Sequence, residues 1–235
     1  MFRQDFIIRM IRTFVNALVL LVRLKKERQP EEARWLISQT WEDLFGLPIE
    51  TINSLSEQTL MAMVKNTTVL NVDTCVMVAR LYKETGEIAA LEQKEKDRYA
   101  NFLKSLNVYL DIALEPSISR KTFRRECKAM QNAVDGLVNV HHEIEDLAHK
   151  LGQYALPVET QRHLFRYYEK FGYFGRAEDV LYDLIEYDRG NAEFVDDGFH
   201  FYRRLLQKDD DELLAGNLPR AEVEEGIRQL EGDTI

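Results

Sequence analysis

The run His141-His142-Glu143-Ile144-Glu145-Asp146, followed by His149, is the densest set of side chains able to hold a metal ion or move a proton. On a helix, His142, Asp146 and His149 stand at i, i+4 and i+7, on one side. Imidazole and carboxylate at that spacing can bind a divalent cation. A di-metal bundle also needs carboxylates from other helices, usually as Glu-x-x-His pairs, and the chain contains no Glu-x-x-His. A solvated or locally paired face is the better account of His142 and His149, so the expectation is no metal and no cofactor.

Other groups of chemical interest fare similarly. Lys121, Arg124, Arg125 and Lys128 lie at i, i+3, i+4 and i+7, with Arg120 beside them. They form a basic face that could dock an acidic partner, a phosphate group or the acidic C-terminal region of the same chain. No interleaved aromatic residues offer stacking for bases, which argues against nucleic acid. Tyr167, Tyr168, Phe171, Tyr173 and Phe174 cluster. Tyr168 and Phe171 read as core, and Tyr167, Tyr173 or Phe174 are candidates for exposure. Asp209-Asp210-Asp211-Glu212 lacks the alternating carboxylate–Gly loop of a calcium site. It reads as a helix N-terminus, with Asp209 or Asp210 as cap. Cys75 and Cys127 lack the rest of a catalytic set, and phosphate-binding Gly loops and GxSxG elbows are absent. No catalytic residue is assigned, and the chain is read as a non-enzyme.

The elements that would position these groups are helical. Residues number 235, with 45% apolar, 30% charged, five Pro and eleven Gly. This is a globular composition, with its breakers placed mostly between apolar-periodic segments. Period-2 alternation is not convincing anywhere. Two cysteines without CxxC or Cys–His spacing fit a reducing cytoplasm better than a disulfide framework or zinc site. The net charge is −9, but residues 1–28 carry seven bases and two acids. The body is therefore acidic, which disfavours non-specific nucleic-acid binding.

The basic end is also the most apolar helix of the chain. In FRQDFIIRMIRTFVNALVLLVRL, Asp5, Arg9, Arg12, Asn16 and Arg23 trace one narrow polar stripe, and nearly everything else needs cover. The longest charge-free run, Thr13 to Val22, is ten residues, against roughly 20 needed to span a bilayer. A core helix, or one pairing with its copy in a dimer through Phe6, Met10, Phe14 and Leu21, is the favoured reading. A membrane-surface helix with its bases on anionic lipid is the alternative.

Pro30 opens a helix whose expected buried face is Trp35, Leu36, Trp41, Leu44 and Phe45, stopped by Gly46 and Pro48. An N-cap signal at 53–57 precedes a short helix through Leu60, Met61 and Val64. The next helix runs through Val76, Ala79, Leu81 and Tyr82 to Gly86, and a long one from Glu87 to about Leu114, with LEQKEKDR exposed. Pro116 and the Ser-rich residues after it mark the expected boundary between halves 1–115 and 116–235. A helix from about Ser119, in one reading continuous to Leu151, opens the second half, and another covers 191–207. Two short helical stretches joined by Gly216-Asn217-Leu218-Pro219 end the chain.

Leu164, Tyr168, Gly172, Ala177, Leu181 and Leu184 have the spacing of a tetratricopeptide-type helix pair, with Gly172 ending one helix and Ala177 allowing close approach of the next. Several stretches, QDFIIRMIRTF, LFGLP with INSLS, YKETGEI leading to FLKSLNVYLDIAL, FRYYEKFGYFGRAEDVLYDLIE, GFHFYRRLL and LPRAEVEEGI, together resemble a bacterial family of tetratricopeptide-like helical proteins of unknown function. The resemblance runs along almost the whole chain and implies a fold and a bacterial, cytosolic setting, but no activity. The expected fold is all-α: tetratricopeptide-like antiparallel hairpins in an irregular solenoid, because the 34-residue period is not sustained, preceded by the long apolar helix. The expected role is a non-catalytic protein-interaction or assembly module with an unidentified protein partner.

Overall fold

Residues 72–91 are apolar on nearly every side of a helix, so they demand cover all round, and the first part of the fold supplies it. The computed structural model describes residues 2–55, 59, 72–116, 119, 121–123, 125, 139–188 and 192–233, with side chains for all of these except 2–7, 53 and 233. The described residues are helical, without strands. In chain order the helices are α1 (Phe2–Lys26), α2 (Pro30–Phe45), α3 (Ile49–Ser54), α4 (Val72–Leu91), α5 (Glu95–Leu114), α6 (Val140–Leu151), α7 (Val158–Phe171), α8 (Phe174–Tyr187), α9 (Ala192–Leu205), α10 (Asp210–Ala215) and α11 (Arg220–Asp233). The chain divides into two units, residues 1–155 and 156–235.

In the first unit α4 is central. It packs on α5, α2 and α1, and α6 packs on α5. Phe14, Leu18 and Leu21 of α1, Ile37 and Trp41 of α2, Val76 and Leu81 of α4, Leu106 and Leu110 of α5, and Ile144 and Leu147 of α6 are all buried. The Trp41 ring lies 5.2 Å from those of Phe45 and Tyr82. Gly86 does not end a helix as its type suggests. It sits inside α4 under the Phe102 ring of α5, where an added Cβ would meet that ring at 2.5 Å. The chain turns instead at Glu92–Lys94, with Gln93 at φ 58° and the Lys94 N–H donating to the Ala89 carbonyl at 2.9 Å.

The boundary also moves from the expected Pro116 to residue 155. Helix α6 belongs to the first unit because it packs on α5 and exchanges ion pairs with α4. Tyr154 extends that attachment, its ring packed at a tilt 5.0 Å from that of Tyr99 and its hydroxyl donating to Glu95 at 2.7 Å. Asn139 caps α6, its side chain accepting from the His142 N–H, so α6 is not a continuation of an unbroken helix from Ser119. The expected helix through Leu60 to Val64 lies outside the described residues. Ile49–Ser54, which overlaps the start of the 53–57 cap signal, is itself helical and was not expected to be.

In the second unit α7 ends at Gly172, left-handed at φ 85°, and α8 starts two residues later. Glycine adopts that conformation without the Cβ penalty. Ala177, Leu181 and Leu184 are buried, and α8 packs on α7. Helix α9 packs on α8 and α11. Asp209 caps α10, accepting from the Glu212 N–H at 2.7 Å, as the acidic run implied. The Arg220 guanidinium donates to the Lys208 carbonyl at 2.7 Å and to Asp210 at 2.5 Å, holding the α9–α10 turn against α11.

Candidate protein-docking site

The exposed apolar surface of the first unit concentrates on α1 and α2. Ile8, Val19 and Leu20 of α1 are 49%, 54% and 48% exposed, and Trp35 of α2 is 66% exposed. The expected buried face of α2 is corrected in this respect. Ala33, Ile37, Trp41 and Leu44 share the buried side, and Trp35 projects from the other. A three-residue turn produces the arrangement. Arg28 takes φ 54°, and the Gln29 N–H donates to the Leu24 carbonyl at 3.0 Å. Pro30 then begins α2 at a position where a missing N–H costs nothing. Trp35 and Leu36 are thereby brought alongside Leu20 and Leu24, lining a groove of about 680 Å³ whose polar wall is Arg23, Glu27, Glu31 and Glu32. A second groove of about 370 Å³ lies on the other side of Trp35, lined by Arg34, Ser38, Ile49 and Glu50. The indole is therefore a ridge between two depressions.

Behind this face lies a feature that sequence reasoning missed. Lys25 pairs with Glu84 and Glu87. Glu84 pairs with Arg80 at 2.7 Å, and Arg80 with Glu143. Lys83 bridges Glu143 at 2.5 Å and Asp146 at 2.6 Å. Lys150 bridges Asp146 at 2.7 Å and Glu87 at 2.9 Å. The eight groups close into a ring of alternating sign with no net charge, joining α1, α4 and α6. Glu84, Glu143 and Lys83 are buried and the others are partly covered. Burial pushes the Glu87 carboxyl up, but Lys25 and Lys150 outweigh it and hold the group down at about 2. Burial likewise opposes the charge on Asp146, and Lys150 and Lys83 hold it below its ordinary value. Lys150, disfavoured as a cation by burial, is raised by Asp146 and Glu87. One signal was available: Arg80, Lys83, Glu84 and Glu87 stand at i, i+3, i+4 and i+7 on a helix otherwise apolar all round. Buried charges of that kind need partners.

The residues singled out by spacing are distributed as follows. Met10, Phe14 and Leu21, expected at an oligomeric contact, are buried in the chain's own core against α2 and α4. They pack the fold and are unavailable to a partner. The side chain of Phe6 lies outside the described residues. Lys121 and Arg125 are exposed, and Arg124 and Lys128 lie outside the described residues. His142 and His149 are exposed, while Asp146 between them serves the ring. Of the aromatic cluster, Tyr167, Tyr168, Phe171 and Phe174 are buried and Tyr173 is 39% exposed. No group of three or more metal-binding side chains occurs among the described residues. Among the same residues, no helix is long and apolar enough to cross a membrane.

No curated protein and no solved structure matches the chain. One sequence family does, over residues 1–234. The chain belongs to that family, a family of unknown function designated DUF6483.

Proposed function

We propose that the protein is a non-catalytic interaction or assembly module, and that the α1/α2 face built around Trp35 is where it docks a protein partner. The observation that carries this reading is the exposed indole flanked by Leu20 and a groove, above a helix pair locked to the core through Lys25. A tryptophan side chain is a preferred anchor in protein interfaces. At 66% exposure, covering it would contribute about 2.5–4 kcal/mol of gross apolar burial. The charge ring supports the reading from behind, because a rigid face loses less entropy on docking. A tetratricopeptide-like, helical-repeat character for α7 and α8 belongs to the same proposal, supported by left-handed Gly172 and buried Ala177. So does a bacterial, cytoplasmic setting, which the scarcity of cysteine favours.

The test is site-specific photo-crosslinking in the host cell, with the photoreactive residue placed at Trp35 or, as a control of similar exposure, at Tyr187. A discrete adduct at position 35 only, lost on Leu20→Glu, is the expected result. Equal labelling from both positions, or none, sinks the reading.

A second reading is attachment to an anionic membrane surface through α1. Arg9, Arg12 and Arg23 lie outward beside Ile8, Val19 and Leu20, which is the observation in its favour. It is the weaker of the two, because the main apolar face of α1 is already buried in the fold. Sedimentation with anionic vesicles, weakened by high salt and by Arg9→Glu/Arg12→Glu, is its signature.

A further inference from the structure

We propose that the occupant of the α1/α2 face is the same face of a second copy of this chain, with the two α1 helices packed antiparallel about a two-fold axis. This rests on the docking reading above and goes beyond it by naming the partner. The argument is the order of charges along the face. Arg9 and Arg12 at one end are exposed, and their side chains have no partner among the described residues. Glu31 and Glu32 at the other end are in the same condition. Between them lie Val19 and Leu20, with Trp35 beside.

This face carries its own complement. At a rise of about 1.5 Å per residue, Arg12 lies about 11 Å from the midpoint of Val19 and Leu20, and Glu27 lies about 11 Å beyond it. Glu27, paired with Arg23 at 2.8 Å, shares a groove wall with Glu31 and Glu32, so this wall holds three acids and one base. Reversing one copy about that midpoint lays Arg12 and Arg9 on the acidic end of the other, twice over. It also sets Val19 over Leu20 and the Asn16 amide beside Arg23. Parallel packing would place base on base and acid on acid, so the charges select the antiparallel arrangement. A foreign partner of one sign would satisfy only half the face. An isologous contact, residue i on j and j on i, satisfies all of it.

Charge-swap variants of the full chain, studied by sedimentation velocity across a concentration series, test the proposal. Wild-type protein is expected to dimerise reversibly. Arg9→Glu/Arg12→Glu and Glu31→Lys/Glu32→Lys should each weaken self-association by at least about tenfold. An equimolar mixture of the two should recover self-association relative to either variant alone, because residues 9 and 12 of each chain then meet residues 31 and 32 of the other with opposite sign. Unchanged far-UV circular dichroism checks folding, since all four positions are on the surface. A concentration-dependent blue shift of tryptophan emission, absent in Trp35→Phe, places the indole in the contact. Variants that all dimerise alike, or a mixture that stays monomeric, overturn the proposal. A monomeric wild type with Trp35 open to acrylamide overturns the second copy while leaving the docking reading in place. A monomer with Trp35 closed to acrylamide sinks both. Monomeric protein that binds anionic vesicles, losing this with the arginine variant and keeping it with the glutamate variant, assigns the face to a membrane.

Discussion

The two units differ in how they arrange charge. In the first, four cations and four anions alternate round a ring that ties three helices together. In the second, carboxylates gather near one another. Burial, together with Glu222 and Asp179, raises Glu178 despite the hydroxyl of Tyr202 donating to it at 2.7 Å. Burial, then Asp179 and Glu186, raises Asp183. The first unit thus specifies which helices meet by charge as well as by shape. The second uses separate, more exposed pairs between helices, such as Arg204 with Glu169 at 2.6 Å, beside aromatic packing, with Phe165 and Phe201 at 5.3 Å and Phe201 and Tyr202 at 5.2 Å, and tolerates like charges at its surface.

The strongest way to break this comparison is to open the ring. Glu143 accepts from both Arg80 and Lys83. In Glu143→Gln each cation loses one of its anions, and removing a partner from a buried pair costs about 3–5 kcal/mol. Both tryptophans, Trp35 and Trp41, belong to the first unit, so tryptophan fluorescence in urea reports that unit alone. The expected result is a large fall in its midpoint, with amide exchange in α8 unchanged. An equal loss in α8 would show that the ring's influence is not confined to its own unit.

Acid should separate the units next. Glu87 falls from 4.5 to about 2 on folding, so its contribution is present above the unfolded value and is lost as pH drops through the folded one. The window is pH 4.5 to about 2, with an upper limit of about 3 kcal/mol. Asp146 has the same sign. Glu178 and Asp183 have the reverse sign. Their raised folded values favour the folded state when protonated, so these two groups, both on α8, add stability as pH falls from neutrality into the carboxylate range. Tryptophan-monitored stability should therefore hold down to about pH 4.5 and then decline, while protection of α8 amides rises. Parallel acid responses would remove the distinction drawn above.

The same residue type marks where sequence reading succeeds and where it stops. Gly172 ends α7 because the apolar period ends with it, a local fact visible in the chain. Gly86 has the same appearance, but its role is set by Phe102, which arrives from the next helix. The ring has the same character. Arg80, Lys83, Glu84 and Glu87 are neighbours on α4, yet Lys25, Glu143, Asp146 and Lys150 come from more than 50 residues away in sequence. Helix caps at Gly46 and Asp209 and the Pro30 start were legible because capping is local. The outward turn of Trp35 was not, because one tryptophan in an amphipathic helix looks like another until the neighbouring helices are placed.

Close approach offers a finer comparison. An added Cβ at Gly86 would meet Phe102 at 2.5 Å, and one at Gly226 would meet the Tyr202 ring at 2.3 Å. Gly86→Ala and Gly226→Ala should each cost about 1–3 kcal/mol by overpacking. Each should act on its own unit: the first on tryptophan-monitored unfolding, the second on amide protection in α9 and α11. If either substitution lowers both readouts together, the units unfold as one and their separation holds for contacts but not for stability.

The smallest expected effect belongs to the docking face, and its smallness is informative. Trp41 is buried and packed against Phe45 and Tyr82, so Trp41→Ser should cost about 3–5 kcal/mol. Trp35, six residues away on the same helix, stands outside the core. Trp35→Ser should leave the stability of the first unit within about 0.5 kcal/mol, as surface changes ordinarily do, while abolishing the self-association assigned to this face. The measurement is urea unfolding of the Trp35→Ser chain, followed through the remaining indole. A loss approaching that of Trp41→Ser would mean that the indole is held by the fold and is spent on stability, leaving the α1/α2 surface without its anchor.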